Sequence, residues 1–175
     1  MIGRRGFISA LALLAVFSPG MIRAAVAAPL RERSLSLLNI HTGENLNTVY
    51  QAEGAYDDRA LKDIYRVLRC HYSDEIAPIA TTVLDLLCDI KDALDWKGRI
   101  AIISGYRSPR YNELLVAAGK KVSRDSLHMQ GRAIDFSLEG VSTRTLSGIA
   151  RSFVIGGVGR YPGFVHIDDG RVRYW

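Results

Sequence analysis

The chain reads as an α+β protein in which helices pack on a small antiparallel sheet. Three features predict this. Helical apolar spacing is concentrated between residues 57 and 119. A strand-turn-strand pattern precedes it, and most of the strongly alternating segments follow it. An apolar fraction of 48% with 23% charged residues in 175 residues excludes a wholly disordered chain and suffices for one core.

Leu35 to Ile40 and Leu46 to Tyr50 read as strands joined by the turn formers Thr42, Gly43 and Glu44, an N-terminal hairpin. Asp57 and Asp58 open a helix whose Leu61, Ile64, Tyr65 and Leu68 recur on one face. A second helix after Pro78 aligns Val83, Leu87, Ile90 and Leu94. Ile100 to Ile103 form a short apolar strand ending at Ser104 and Gly105. Ser108 then caps a helix with Pro109 at its first position and Gly119 just beyond its end. Ala133 to Leu138 is a strand, and Ser142 to Phe153 is a helix turning Leu146, Ile149, Ala150 and Phe153 inward. Gly163 to Ile167 and Val172 to Tyr174 are strands that Asp168, Asp169 and Gly170 predict to be a hairpin.

The N-terminus carries a different message. Residues 1–27 hold Arg4, Arg5 and Arg23, no acidic residue, an apolar run from Phe7 to Phe17, and Ala25-Val26-Ala27 as a small-x-small cleavage pattern. This is the pattern of a secretory signal peptide, with an apolar run shorter than the ~20 residues a membrane span needs, so no permanent anchor is expected. Arg4 and Arg5 followed by Gly6, Phe7 and Ile8 resemble a twin-arginine export signal, although Gly3 and Ser9 depart from the usual flanks. The mature domain is then residues 28–175, expected in the periplasm as a monomer. Of 23 basic residues, 20 remain against 18 acidic ones, so the formal excess of +5 falls to +2. With so little basic excess, nucleic acid is not an expected partner. Cys70 and Cys88, the only cysteines, could pair as a disulfide in such a compartment or simply be two small buried residues.

Of the four histidines, His41 lies in a turn and His71 at a helix end, and both read as structural. His128 and His166 have chemical neighbours. Gly131 lets the chain turn into the strand at 133–138, where alternation sends Ile134, Phe136 and Leu138 to the core and Asp135 to the opposite face among small residues. Val165 and Ile167 share the buried face of the later strand, leaving Phe164, His166 and Asp168 on the other. If the two strands pair, His166 lies beside Asp135, with His128 arriving from the preceding turn. Two imidazoles and a carboxylate suit Zn²⁺ with an open fourth position. They equally suit two buried histidines hydrogen-bonded to Asp135 and Asp168.

The segments Ser104-Gly105-Tyr106-Arg107-Ser108-Pro109, Ser126-x-His128-x-x-Gly131-x-Ala133-x-Asp135 and His166-x-Asp168-x-Gly170 resemble the YcbK-like murein endopeptidases. These belong to the zinc D-Ala-D-Ala carboxypeptidase superfamily, which has the hedgehog/DD-peptidase fold. The resemblance runs from about Leu35 to Trp175, taking in His41-Thr42-Gly43-Glu44 and Gly156-Gly157-Val158-Gly159. It implies one zinc ion held by His128, Asp135 and His166, and hydrolysis of amide bonds in peptidoglycan stem peptides during wall growth or remodelling. A D-alanyl carboxypeptidase and a non-catalytic wall-binding module are the alternatives. Arg107 is the candidate for a developing oxyanion or a stem-peptide carboxylate. The base that many relatives carry two or three residues before the last ligand is replaced by Phe164 and Gly163, which leaves Asp168 as either the base or the residue that orients an imidazole. Ser126 is expected to shape the turn. A short Arg160-Tyr161-Pro162-Gly163 loop and Asp169 in place of a usual Thr put substrate preference in doubt.

Overall fold

In the computed structural model, which describes residues 31–175, the strands form a single eight-stranded sheet. The segment read as an export signal lies outside the described residues. The strands are β1 (Arg33–Asn39), β2 (Asn45–Ala52), β3 (Ala55–Tyr56), β4 (Ile100–Ser104), β5 (Ala133–Leu138), β6 (Gly157–Tyr161), β7 (Phe164–Asp168) and β8 (Arg173–Tyr174), in the order β3-β2-β1-β4-β5-β7-β6-β8. The helices are α1 (Asp58–Val67), α2 (Thr81–Ala93), α3 (Pro109–Ala117) and α4 (Thr143–Ser152). Among the described residues no helix is long and apolar enough to cross a membrane.

The helices form where their caps and apolar stripes predict. Asp57 accepts from the backbone N–H of Arg59 and Ala60, and α1 then buries Leu61 and Ile64. Ser108 accepts from Tyr111 N–H at the start of α3, with Pro109 at the first position. Ser142 does the same for α4 through Thr145 N–H. Helix α2 has no side-chain cap; it is held by burial of Val83, Leu84, Leu86, Leu87, Cys88 and Ile90. Its Asp85 accepts hydrogen bonds from the hydroxyls of Tyr50 (2.8 Å) and Tyr56 (2.6 Å), tying the β2–β3 edge to the helix. Ile134, Phe136, Val165 and Ile167 join Leu35, Leu37, Ile64 and Leu87 in one core. By alternation, Asp135 and His166 face away from it.

The α+β class is as expected, but the sheet is mixed: β1 runs parallel to β4, and β6 parallel to β8. The hairpin predicted at Asp168-Asp169-Gly170 does not form. β7 instead makes a hairpin with β6, and β8 crosses to the far edge of β6. The Asp168 carboxylate accepts from the backbone N–H of both Gly157 (2.8 Å) and Gly170 (2.9 Å), which redirects the chain across β6. β6 escaped sequence reading because its glycines lack branched strand formers. At Gly159 the reason is close approach, since a Cβ would stand 2.6 Å from the Trp175 ring.

Cys70 and Cys88 are separate buried thiols. Their sulfurs contact Ser108 Oγ (3.5 Å) and the Ser34 carbonyl (3.7 Å), respectively.

Gly131 ends the short 3₁₀ turn Leu127–Gln130 with φ +64°. A Cβ there would collide with the Pro78 carbonyl, and the Gly131 carbonyl accepts from Ala80 N–H (2.9 Å). Gly131→Ala is expected to cost at least ~2 kcal/mol, combining left-handed strain with the backbone clash. A urea unfolding midpoint unchanged within error would contradict this assignment.

Candidate metal centre

The antiparallel register of β5 and β7 sets Asp135 directly opposite His166, the pairing that alternation anticipates. The 3₁₀ turn before β5 delivers His128 to the same spot. His128 Nε2, Asp135 Oδ1 and His166 Nδ1 converge, with Asp135 to His166 at 2.7 Å, His128 to Asp135 at 3.2 Å and His128 to His166 at 3.2 Å. These three residues form a group able to hold a metal ion.

Each imidazole presents one nitrogen to this point and has the other engaged. His128 Nδ1 lies 2.8 Å from the Gly105 carbonyl, so it carries the proton and donates. The Arg107 N–H in turn donates to the His128 carbonyl (3.1 Å), linking the strand end after β4 to the turn. His166 Nε2 lies 3.0 Å from Asp168 Oδ2. Burial opposes ionisation of Asp135, yet His128 and His166 hold its carboxyl well below the usual carboxylate range. Burial likewise works against a charged His166, but its hydrogen bonds to the Asp135 and Asp168 carboxylates raise its pKa overall.

Asp168 is fully buried. Its Oδ1 accepts the two backbone N–H groups of Gly157 and Gly170, and its Oδ2 accepts from His166 and from Arg173 Nη2 (2.7 Å). Burial opposes this charge as well, and His166 with the two glycine N–H groups more than compensates, placing its carboxyl far below the usual range.

Arg107 is only 7% exposed. Its guanidinium makes long contacts to Asn112 Oδ1 (3.3 Å), Ser104 Oγ (3.4 Å) and Asp135 Oδ2 (3.7 Å), while its buried Nε has no partner. Burial lowers its pKa, and the nearby Asp135 charge works the other way.

These side chains line an open cleft of about 740 Å³, whose walls also include Ser126, Asp125, Tyr161, Phe164 and Trp175. Ser126 is buried at the head of the 3₁₀ turn without a side-chain cap bond, and its carbonyl accepts from Met129 N–H. His41 and His71 lie outside this cleft, stacked on one another with ring centroids 3.8 Å apart. Tyr161, in the stretch the sequence linked to substrate preference, does line the cleft, whereas sequence reasoning missed Arg173 and Trp175. Arg173 braces Asp168, and Trp175 donates its indole N–H to the Tyr161 hydroxyl (2.8 Å). Their placement depends on β6, which sequence periodicity did not reveal.

Residues 27–175 match the family model described as peptidoglycan L,D-endopeptidase MepK. The chain belongs to this family. Among relatives of this MepK-family chain, the Escherichia coli K12 protein named peptidoglycan L,D-endopeptidase MepK is 34% identical over 166 residues, covering 94% of this chain and 91% of that one. A Haemophilus influenzae protein named probable peptidoglycan L,D-endopeptidase MepK is 31% identical over 160 residues, covering 90% and 86%. No solved structure matches significantly.

Proposed function

We propose that this MepK-family protein is a zinc-dependent endopeptidase that hydrolyses peptide cross-links of peptidoglycan, of the L,D type named for its relatives. The observation that carries this reading is the convergence of His128 Nε2, Asp135 Oδ1 and His166 Nδ1 in an open cleft, each imidazole held by its other nitrogen. Tetrahedral zinc with bonds of ~2.0–2.1 Å separates its ligands by ~3.3 Å. The two 3.2 Å edges fit this, and the 2.7 Å edge needs only modest opening. Zinc held there supplies a Lewis acid and lowers the pKa of water toward ~7.

The chain's own residues do the rest. Gly105 O and Asp168 fix the two imidazoles in the tautomers that point the ligating nitrogens at the centre. Arg107, with its unpartnered Nε, receives the developing oxyanion or a carboxylate of the stem peptide. Asp168 acts as a positioning residue: both its oxygens already accept hydrogen bonds, Oδ1 from the Gly157 and Gly170 N–H groups and Oδ2 from His166 and Arg173, whereas a general base needs a free lone pair within reach of water. We place the mature domain at residues 28–175, exported by the twin-arginine-like leader to the periplasm, where its substrate lies, and working as a monomer.

Purified protein lacking residues 1–27 is expected to bind one equivalent of zinc and to cleave L,D-cross-linked muropeptide dimers. A chelator should abolish the cleavage and added zinc restore it. Absence of cleavage of any cross-linked dimer by the zinc-loaded protein would overturn this function.

A further inference from the structure

Paired strand residues share a face of the sheet, so the register of β6 on β7 decides which of their side chains look into the cleft. Val158 opposite Ile167 points to the core, and Arg160 opposite Val165 lies on that same side. Gly159 opposite His166 and Tyr161 opposite Phe164 lie on the other face, with the metal centre. Tyr161 and Phe164 are cleft walls accordingly, together with Trp175.

Tyr161 is held at both ends. Its ring stacks on Phe164, with centroids 4.7 Å apart and planes 10° from parallel. Its hydroxyl oxygen accepts the indole N–H of Trp175 at 2.8 Å. Trp175 is fixed in turn. Its backbone N–H donates to the Val158 carbonyl (3.2 Å), its ring fills the space a Cβ would need at Gly159, and its centroid lies 5.4 Å from that of His166. Arg173, which braces Asp168, stands over the same indole, 5.0 Å from its centroid. One run of contacts therefore joins the carboxylate behind His166 to the phenol on the cleft wall.

An indole nitrogen can only donate, so the Tyr161 oxygen must accept and its own O–H hydrogen is left over. Among the described residues that hydroxyl has no acceptor. The buried Arg107 guanidinium, in the same cleft, stands within electrostatic reach of it. We propose that Tyr161 is a substrate-binding residue whose hydroxyl donates to a backbone carbonyl of the stem peptide in the metal cleft, and that Trp175 is a positioning residue acting through it. The inference rests on the peptidoglycan reading for its ligand. A neutral O–H suits a neutral carbonyl and leaves charged acceptors to Arg107. Because the indole occupies one side of the oxygen, the O–H is ordered before the peptide arrives, which lowers the entropic cost of binding.

The test reads binding and cleavage separately, on zinc-loaded protein lacking residues 1–27, which keeps every element of the described fold. Wild type, Y161F, W175F and Y161F/W175F are compared for calorimetric affinity toward a soluble stem tripeptide, which holds no cross-link to cleave, and for kcat and KM on cross-linked dimers. Y161F removes one oxygen and is expected to weaken tripeptide binding and raise KM by about three- to tenfold, with kcat, melting temperature and zinc content little changed. W175F is expected to lose about threefold, and the double variant to be no worse than Y161F, since the indole acts through the hydroxyl. In the wild type the tripeptide should shift the indole N–H resonance of Trp175 and leave that of Trp96 in place. Unchanged affinity in Y161F, or a Trp175 resonance unmoved at saturation, would overturn the assignment of Tyr161. Losses that multiply in the double variant would overturn the role given to Trp175. Binding as expected without cleavage of any cross-linked dimer would remove the endopeptidase reading and leave Tyr161 standing. Cleavage with Y161F equal to wild type in affinity and KM would do the reverse.

Discussion

Asp135→Ala is expected to yield a folded protein that neither retains zinc nor cleaves cross-linked muropeptides. Asp135 Oδ1 lies 2.7 Å from His166 Nδ1 and 3.2 Å from His128 Nε2, so its loss removes the one anionic donor and leaves two imidazoles, which bind zinc far more weakly. A Lewis acid contributes several kcal/mol to transition-state stabilisation, and each 1.36 kcal/mol is tenfold in rate, so kcat/KM should fall by at least ~10³-fold. The fold survives because Ile134 and Phe136, the neighbours of Asp135 in β5, face the core while Asp135 faces away. Metal-free wild type and variant should therefore melt alike, within about 2 kcal/mol in stability. Only the wild type should gain the ~4 kcal/mol that a ligand at a thousand times its Kd confers. Zinc content by elemental analysis, melting with and without zinc, and muropeptide digestion test this together. A variant that keeps one tight zinc or near wild-type cleavage would remove Asp135 from the centre.

Asp168→Asn is expected to weaken zinc binding by about 10–100-fold and to lower kcat/KM by a similar factor. The carboxylate holds His166 by its Nε2 and is itself held by Gly157 N–H, Gly170 N–H and Arg173. An asparagine amide cannot accept at both ends, so either His166 and Arg173, which share Oδ2, or the Gly157 and Gly170 N–H groups, which share Oδ1, lose their acceptor, and in both cases Arg173 loses its anionic partner. A positioning role and a base role separate cleanly. If Asp168 orients His166, metal affinity falls and the visible spectrum of the cobalt-substituted variant changes, because the ligating nitrogen is no longer held in place. If Asp168 were the base, kcat would collapse with metal affinity and cobalt spectrum untouched, and that outcome would reverse the assignment made from its hydrogen bonds.

Much of this was legible from local signals. The capping residues Asp57, Ser108 and Ser142 announce three helices because a cap satisfies backbone N–H groups within the same turn. Alternation along 133–138 and 164–168 separates core residues from Asp135 and His166 because it is a property of each strand alone. β6 was not legible, since Gly157 and Gly159 carry no side chain to betray a strand and are required by groups distant in sequence, Trp175 among them. The Asp168-Asp169-Gly170 turn was misread for a related reason. As a tripeptide it favours a two-strand hairpin, but the Asp168 carboxylate is bonded eleven residues back to Gly157, and that contact overrides the local preference.

The sequence by itself determined the strand faces on which Asp135 and His166 lie and the family to which the chain belongs, because alternation and motif order are fixed along the chain. Only the tertiary structure decided that Asp168 has both oxygens engaged by Gly157, Gly170, His166 and Arg173, and that Arg107 is buried with an unpartnered Nε. The physical reason is that a side chain's role follows from what satisfies its charge and hydrogen bonds, and for these residues the satisfying groups, or their absence, lie on strands and turns that are neighbours only once the sheet has formed.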